Sequence, residues 1–424
     1  MREPDRTHIM IRRRTAAMNH IHRWRHTMIR FSKMALAVAL ATSATLALAA
    51  DPIKIGVAGP FTGGSSSMGV SMRDGVRLAT KEINDAGGVL GRKIELVERD
   101  DEAKNERGVQ IAQELINKEK VVAALGYINS GVALASQRFY QEAKIPVMNN
   151  VATATLIAKQ FADQPENYVF RNSANDTIQS TMIVDEVIGR RKYTKVAILA
   201  DSTNYGQLGR EDLEKALAAK GIKAVAIEKY NIKDVDMTPQ LLKAKEAGAQ
   251  VVITYGIGPE LAQIANGMVK LGWKVPMMGS WTLSMGNFID NAGKNADGAL
   301  MPQTFIQEGN TPKRTSFIAA YQKAYKVDRI PSPVSAAQGY DSVYLLAAAI
   351  AQAKTTDGPK VREALEDLKA PVEGVVTTYN KPFSKADHEA ITLNMPVIGK
   401  VQDGRVYYAY DDDKKRGGEV RTKK

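Results

Sequence analysis

The sequence contains no cysteine, and beyond its first 50 residues it contains a single histidine. Without cysteine the chain forms no disulfide and offers no thiol for lipid attachment. The remaining histidine, His388, stands in a polar stretch that predicts a surface position. A Ser-His-Asp triad would depend on it, and neither a Gly-x-Ser-x-Gly elbow nor a His-Glu-x-x-His zinc motif is present. We therefore expect no enzymatic activity, no metal and no cofactor.

A complete nucleotide-binding fingerprint is also missing. The loop Gly59–Gly64 follows the first predicted strand, and Asp100-Asp101 ends the second, as a dinucleotide site would require. However, the loop departs from Gly-x-Gly-x-x-Gly, and Pro60 stiffens the turn. No Gly-x-x-x-x-Gly-Lys-Ser/Thr sequence occurs either. We favour a loop that lines a ligand over a loop that binds a nucleotide.

Long apolar runs are absent except for one near the N-terminus. Met34–Leu48 is a 15-residue apolar stretch that follows basic residues. It is too short to span a bilayer, and it predicts a secretory signal peptide cleaved near Ala49/Ala50. We expect a soluble periplasmic protein without a membrane anchor. Residues 1–27 indicate either a start site placed too early, with translation beginning at Met28, or a long n-region.

The positive charge is concentrated outside the predicted folded body. The net charge is +12, and residues 1–50 carry nine Lys/Arg against two acidic residues. More basic residues lie in the charged tail 411–424, which is predicted to be disordered. The body itself is not basic enough to indicate polyanion binding, so we expect no nucleic-acid partner.

Strand and helix patterns alternate along the chain from Asp51 onward. Short apolar runs are followed by segments with apolar residues at helical spacing, several of which end in glycine. Such alternation is typical of parallel sheets covered by helices on both faces, here in two similar halves. The predicted strands are 53–58, 93–99, 121–125, 145–148, 168–172, 195–200, 222–230, 250–255, 275–278, 375–379 and 397–410.

The stretch 121–153 places polar residues after two neighbouring predicted strands. Strand 121–125 leads through the turn Asn129–Gly131 into a helix, and the next strand ends in a polar turn with Asn149 and Thr153. In open parallel sheets, ligands bind at the carboxyl ends of strands, where helix N-termini present N–H groups to anions. Uncharged hydroxyl and amide groups at this position suit a neutral cradle for a carboxylate better than acid–base chemistry.

Two aromatic residues follow predicted strands of the second half. Tyr205 lies in the segment DSTNYG, and Trp281 follows Gly279-Ser280. Each is compatible with a place in the core or on the surface, but their positions after strands favour a ligand cleft. Tyr127 is equally compatible with packing and with a pocket.

The mature chain resembles, nearly end to end, the leucine/isoleucine/valine-binding proteins of branched-chain amino-acid ABC transporters. These are type I periplasmic binding proteins. The resemblance rests on the order and spacing of IKIGVAGPFTG, GVRLATKEINDAGGVLGRKIELVERDD, the Gly126–Ser130 turn, ADSTNYG and YGIGPELAQI. It implies an α/β fold with two doubly wound parallel-sheet lobes joined by a three-stranded hinge, and a ligand enclosed between the lobes.

The same resemblance implies a division of the chain and a set of partners. The chain would cross between lobes near Ser173, Gln303 and Val372. A monomer would deliver a small-molecule carboxylate to the membrane permease of an ABC transporter, or alternatively serve a sensor. The implied lobes are 51–173 plus 303–372 and 174–302 plus 373–410.

Family members hold the ligand's carboxylate with N–H and hydroxyl groups of the first lobe, and a tyrosine of the second lobe lines the cleft. A second aromatic residue of the family is replaced here by an isoleucine. The implied ligand-binding residues are Ser130, Val151, Ala152, Thr153, Tyr205, Trp281, Ile257 and Met68.

One departure from the family pattern concerns the ligand's ammonium group. Amino-acid binders of the family place a glutamate after the glycine that corresponds to Gly279, whereas this chain has Ser280 and Trp281. An ammonium without this partner in a closed cleft would lose several kcal/mol. Our hypothesis is an acid with an apolar or aromatic body, such as a benzoate or a phenylpropanoid acid. The alternative is a branched-chain or other amino acid.

Overall fold

The computed structural model describes residues 51–417 and residue 423. The N-terminal extension and the predicted signal peptide lie outside the described residues. Within the described part, no helix combines the length and apolarity needed to cross a membrane.

Strands and helices alternate as predicted through most of the described chain. A π-helical turn, Asp185–Arg190, extends the helix Asp176–Val184, and 3-10 turns occupy Trp281–Ser284 and Gly293–Ala296. The strands are β1 Ile53–Gly59, β2 Ile94–Asp100, β3 Ala123–Gly126, β4 Val147–Asn149, β5 Val169–Arg171, β6 Val196–Asp201, β7 Ala226–Tyr230, β8 Val251–Tyr255, β9 Met277–Gly279, β10 Leu300–Gln303, β11 Val372–Glu373, β12 Thr378–Tyr379, β13 Val397–Gln402 and β14 Arg405–Tyr408. The helices are α1 Ser66–Asp85, α2 Asn105–Asn117, α3 Ser130–Glu142, α4 Asp176–Val184, α5 Asn204–Ala218, α6 Thr238–Glu246, α7 Gly258–Lys270, α8 Gly286–Ala292, α9 Pro312–Tyr325, α10 Pro333–Ala353, α11 Gly358–Glu366 and α12 Asp411–Gly417.

The first sheet has the order β2-β1-β3-β4-β5, and all of its strands are parallel. Its inner strands are buried on both faces, which is why β1 reads as a nearly continuous apolar run with Ile53, Ile55 and Val57 fully buried. We call this sheet and the helices that pack on it the first lobe.

Helices α1 and α10 pack closely in the first lobe because two glycines leave room for the facing backbone. A Cβ atom on Gly75 would lie 2.1 Å from the carbonyl oxygen of Ala336, and one on Gly339 would lie 2.4 Å from that of Met72. Only glycine permits such an approach of two backbones. The close packing fixes α1, whose first turn borders the loop that follows β1.

The second sheet has the order β14-β13-β10-β9-β8-β6-β7. The strands from β7 to β10 are parallel, whereas β13 and β14 are antiparallel to their neighbours. We call this sheet and its helices the second lobe. The predicted class, α/β with parallel-sheet lobes, is confirmed, and the antiparallel strand pair at one edge is an addition that the sequence pattern did not indicate.

The last passage of the chain between lobes differs from the prediction. The resemblance implies that residues 373–410 belong to the second lobe, but Arg171 of β5 pairs with Glu389 in a parallel bridge. The backbone N–H of Arg171 donates to the carbonyl of His388, and that of Ala390 donates to the carbonyl of Arg171. This segment therefore extends the edge of the first sheet, and the chain enters the second sheet only at β13.

The predicted disordered tail is also corrected where it is described. Residues Asp411–Gly417 form α12, and the guanidinium of Arg314 donates to the carbonyl of Gly417 at 2.7 Å. The charged composition of the tail suggested disorder because charged residues rarely bury apolar area. A helix forms here because acidic residues occupy its first turn and basic residues its last, which matches the helix dipole.

Candidate functional site

Ser130 occupies the N-terminus of α3, directly after the turn that follows β3. It is fully buried, and its hydroxyl oxygen accepts a hydrogen bond from the N–H of Ala154 at 3.1 Å. Because this bond uses an acceptor site of the hydroxyl, the hydroxyl hydrogen remains available to a second acceptor. A ligand carboxylate is such an acceptor.

The segment after β4 carries the other first-lobe residues of the predicted site. Val151, Ala152 and Thr153 are buried. The N–H of Ala152 donates to the carbonyl of Tyr127 at 2.9 Å, so this donor is used by the fold itself. The carbonyl of Thr153 accepts from the N–H of Asp176 at 2.8 Å, which joins the segment to the start of α4. Val151 and Thr153 thus stay candidate ligand contacts, whereas the N–H of Ala152 is already bonded within the protein.

Tyr205 of the second lobe begins a chain of three buried hydroxyl groups. Its oxygen lies 2.5 Å from that of Ser280, which lies 2.8 Å from that of Thr282. Burial raises the pKa of Tyr205 well above its ordinary value, so the phenol is neutral. Three hydroxyls supply three hydrogens, and their two mutual bonds use only two of them. One donor of this chain is therefore available to a further acceptor.

Tyr205 is positioned by a helix cap that the sequence contains in full. Thr203 precedes α5, and its hydroxyl accepts a hydrogen bond from the N–H of Gly206. Asp201, at the end of β6, accepts from both the N–H and the hydroxyl of Thr203. The cap therefore holds the first turn of α5, and with it the phenol, against the end of β9.

Trp281 lies beside this hydroxyl chain and is only 2% exposed. Its backbone N–H donates to the side-chain carbonyl of Gln179 at 3.0 Å, and its backbone carbonyl accepts from the hydroxyl of Ser284 at 2.7 Å. These bonds hold the 3-10 turn that carries the indole.

Asp176 is a candidate residue that the sequence reasoning missed. It is fully buried, its Oδ1 accepts from the hydroxyl of Tyr255 at 3.2 Å, and its Oδ2 has no partner among the described residues. Burial raises the pKa of Asp176 to about 7, an effect opposed by the nearby hydroxyl of Thr153 and by the charge of Arg171. The sequence signal that could have identified Asp176 is its position directly after the predicted first crossing between the lobes, near Ser173.

These contacts connect three of the predicted residues, Thr153, Tyr205 and Trp281. Thr153 contacts Asp176, which is bonded to Tyr255, and the ring of Tyr255 lies 5.4 Å from that of Tyr205. The hydroxyl of Tyr205 is hydrogen-bonded to that of Ser280, which directly precedes Trp281 in the chain. Val151, Tyr205, Trp281, Ile257 and Met68 are all part of the large apolar core that extends through both lobes.

Two predicted residues lie at the margin of this arrangement. Ile257 precedes α7, and its Cγ2 lies 3.9 Å from where a Cβ atom of Gly64 would stand, so it faces the loop after β1. Met68 lies in the first turn of α1 and contributes to this apolar core rather than to the hydrogen-bonded part of the site.

His388 is buried, contrary to the predicted surface position. Its ring stacks on Phe170 at 4.0 Å, and its Nδ1 donates to the carbonyl of Val169 at 2.8 Å. Its Nε2 lies 3.3 Å from Glu366, and burial lowers its pKa. Both ring nitrogens are thus bonded to groups outside the predicted site. The polar neighbours of His388 in sequence did not reveal that its own side chain packs on β5.

Comparisons with known proteins agree with this architecture. Residues 52–403 match a family model described as periplasmic binding protein. A leucine-, isoleucine-, valine-, threonine- and alanine-binding protein of Pseudomonas aeruginosa is 30% identical over 338 residues, which cover 79% of this chain and 88% of the relative.

Solved structures show the same fold. A type 1 periplasmic binding protein from Bordetella pertussis superposes with a TM-score of 0.76 at 28% identity, covering 84% of this chain and all of that structure. A transporter solute-binding protein of Rhodopseudomonas palustris in complex with 3,4-dihydroxybenzoic acid has a TM-score of 0.72 at 22% identity, covering 84% of this chain and 95% of its own.

Proposed function

Because this chain belongs to the periplasmic binding protein family and is a substrate-binding protein of the ABC-transporter type, we propose that it captures a small carboxylate with an apolar or aromatic body. It acts in the periplasm as a monomer, and closure of the lobes presents the loaded form to a membrane permease. The observation that carries the proposal is the combination of uncharged hydroxyl donors with the buried indole of Trp281.

Hydrogen-bond donors on both lobes favour a ligand with a carboxylate group. Ser130 and the hydroxyl chain of Tyr205 each have a hydrogen left after their bonds within the protein. A hydrogen bond to a charged acceptor contributes about 1.5–3 kcal/mol, twice or more what a neutral pair contributes. Two such bonds on opposite lobes therefore favour the closed form when an anion is bound.

The indole of Trp281 favours a ligand whose remaining part is apolar or aromatic. An indole offers a large apolar face, and offset or edge-to-face contact with a second ring contributes about 0.5–1.5 kcal/mol beyond area burial. A glutamate at this position would instead repel a second negative group and attract an ammonium. The solute-binding protein from Rhodopseudomonas palustris, which was solved with 3,4-dihydroxybenzoic acid, gives a precedent for such a ligand within this fold.

A second candidate ligand is an amino acid, and Asp176 is the observation that favours it. Its buried Oδ2 has no partner among the described residues, and its backbone N–H bonds to Thr153. A buried carboxylate without a cation is costly, and a ligand ammonium would supply one. The Pseudomonas aeruginosa relative is named for binding leucine, isoleucine, valine, threonine and alanine.

Titration calorimetry with the full mature chain separates the two candidates. We expect heat of binding with coumarate or benzoate, and a loss of at least tenfold in affinity in Trp281→Ala. Trp273→Ala, a change of the tryptophan that lines a surface cavity of the second lobe, is the matched control and should leave affinity unchanged.

A different set of results would favour the amino acid. Tight binding of leucine, no heat with either aromatic acid, and loss of leucine binding in Asp176→Asn would replace the aromatic acid by an amino acid. In that case Asp176 would serve as the partner of the ammonium group.

A further inference from the structure

Helix α8 of the second lobe contacts the first lobe at the margin of the proposed ligand site, near Ile257 and apart from the hydrogen-bonded groups of that site. The side-chain Nδ2 of Asn287 donates to the carbonyl of Gly64 at 2.8 Å. Gly64 lies in the loop between β1 and α1, and a Cβ atom there would stand 3.6 Å from Pro259 at the start of α7. The loop after β1 is thus held between two helix N-termini of the second lobe.

Gly258 of the second lobe leaves room for the Asn287 side chain because it has no side chain of its own. A Cβ atom on Gly258 would lie 2.1 Å from the Oδ1 of Asn287, so only glycine at position 258 admits this side chain. That Oδ1 is buried and has no hydrogen-bond partner within the described chain. Burying an unpaired amide oxygen costs free energy, so the fold keeps Asn287 in place at a cost. The bond from its Nδ2 to Gly64 offsets part of that cost.

We propose that Asn287 and Gly258 form a latch that holds the lobes closed and has no part in recognising the ligand. The bond from Asn287 to Gly64 joins residues 223 positions apart on different lobes, so it breaks whenever the lobes separate. The latch stabilises the closed form with any ligand and without one. It therefore sets how long a ligand stays bound, whereas the residues around Trp281 set which ligand is bound.

The same helix has two further contacts with the segment that joins α9 and α10. The N–H of Gly286 donates to the carbonyl of Pro331 at 2.7 Å, and the guanidinium of Arg329 contacts both oxygens of Asp290 at 2.6 Å. Because α10 packs on α1 of the first lobe, these contacts also join α8 to that lobe, so a change at Asn287 removes one of several bonds between the lobes.

The test measures lobe opening directly in ligand-free protein. The absence of native cysteine allows dyes to be attached specifically at Lys81→Cys on α1 and Lys243→Cys on α6, both on exposed side chains. Single-molecule energy transfer then gives the ratio of closed to open molecules. We expect Asn287→Ala to lower this ratio about fivefold, the effect of losing one hydrogen bond of ordinary strength.

Two further variants make the test specific. Gly258→Ala should lower the ratio similarly, because the new methyl group displaces the Asn287 side chain, and the double variant should lower it no further than either single change. Asn291→Ala, which alters an exposed asparagine on the same helix, should leave the ratio unchanged.

The proposal is overturned if Asn287→Ala and Asn291→Ala give the same ratio of closed to open molecules. It is also overturned if the effects of Asn287→Ala and Gly258→Ala on this ratio add in the double variant, or if ligand-free wild-type protein has no closed population. Because no ligand enters the measurement, a wrong ligand class would not affect its outcome. For whichever acid binds, the dissociation rate should rise by the same factor in both latch variants, with the preference among acids unchanged.

Discussion

Arg171 and Glu389 form a two-pronged ion pair in which the arginine side chain is fully buried. The Nε of Arg171 lies 2.8 Å from Oε2 of Glu389, and its Nη2 contacts the other carboxylate oxygen. The Nη1 of the same guanidinium donates to the carbonyl of Ala154 at 2.7 Å. One side chain therefore joins β5, the loop that bears Thr153 and the segment that precedes the last crossing between lobes.

Replacing Glu389 by alanine should destabilise the protein by about 3–5 kcal/mol, because it leaves the buried charge of Arg171 without a partner. Chemical denaturation followed by circular dichroism measures the change in free energy of unfolding. As a control, Lys81→Ala removes the exposed pair with Asp85 and should cost less than about 1 kcal/mol. Equal effects of the two changes would contradict the structural role of the buried pair.

Replacing Gly75 by alanine should destabilise the first lobe by about 1–3 kcal/mol. The added methyl group would lie 2.1 Å from the carbonyl of Ala336, so α1 and α10 must move apart. Gly189→Ala is the matched control, because a Cβ atom there meets no other atom within 4 Å. Thermal unfolding of the two variants checks the prediction, and a Gly75→Ala midpoint at or above that of Gly189→Ala would refute it.

Asp176 should make stability depend on pH. Its pKa is raised in the folded protein to about 7, from an ordinary value of about 3.9 when unfolded. Between these values the folded form binds more protons, so stability is highest at the acidic end and falls as pH rises toward 7. The slope is at most about 1.4 kcal/mol per pH unit for this one group.

Asp176→Asn should remove this contribution, because the amide does not titrate. Urea denaturation of wild type and variant between about pH 4.5 and 7.5 measures it, with Asp85→Asn on the surface of α1 as control. A difference in stability between Asp176→Asn and wild type that is constant over this range would show that Asp176 does not titrate there.

Replacing Tyr205 by phenylalanine should lower ligand affinity about fivefold to fiftyfold, with little loss of stability. The change removes one hydroxyl from the chain with Ser280 and Thr282 and leaves the ring packed beside Tyr255. Tyr407→Phe, on an exposed tyrosine, is the control. Calorimetric titration with the acid that binds wild type gives the affinity, and equal affinity of both variants would remove Tyr205 from the site.

Local signals in the sequence predicted the elements that form the site. The apolar run of β3, the polar turn at Ser130 and the start of α3 follow one another in the chain, and so do β6, the Thr203 cap and Tyr205. Such patterns report burial and capping of neighbouring residues, and these depend on short-range geometry. The order of these elements also indicated the α/β class and the resemblance to a family.

Contacts between distant segments could not be read in this way. The charged stretch around His388 gave no sign that this ring stacks on Phe170 or that Glu389 pairs with Arg171, because periodicity reports a face of an element and not its partner. Likewise, no pattern showed that Ala152 donates its N–H to Tyr127, or that Asp176 lies buried with an unpaired oxygen.

The sequence by itself determined the alternation of strands and helices, the uncharged residues at the strand ends and the tryptophan at position 281, after Gly279 and Ser280. Only the tertiary structure decided which of these groups still have a free donor or acceptor, and that Asn287 reaches Gly64 across the lobes. The physical reason is that local patterns depend on the nearest neighbours in the chain, whereas hydrogen-bond partners and burial depend on where the whole chain folds.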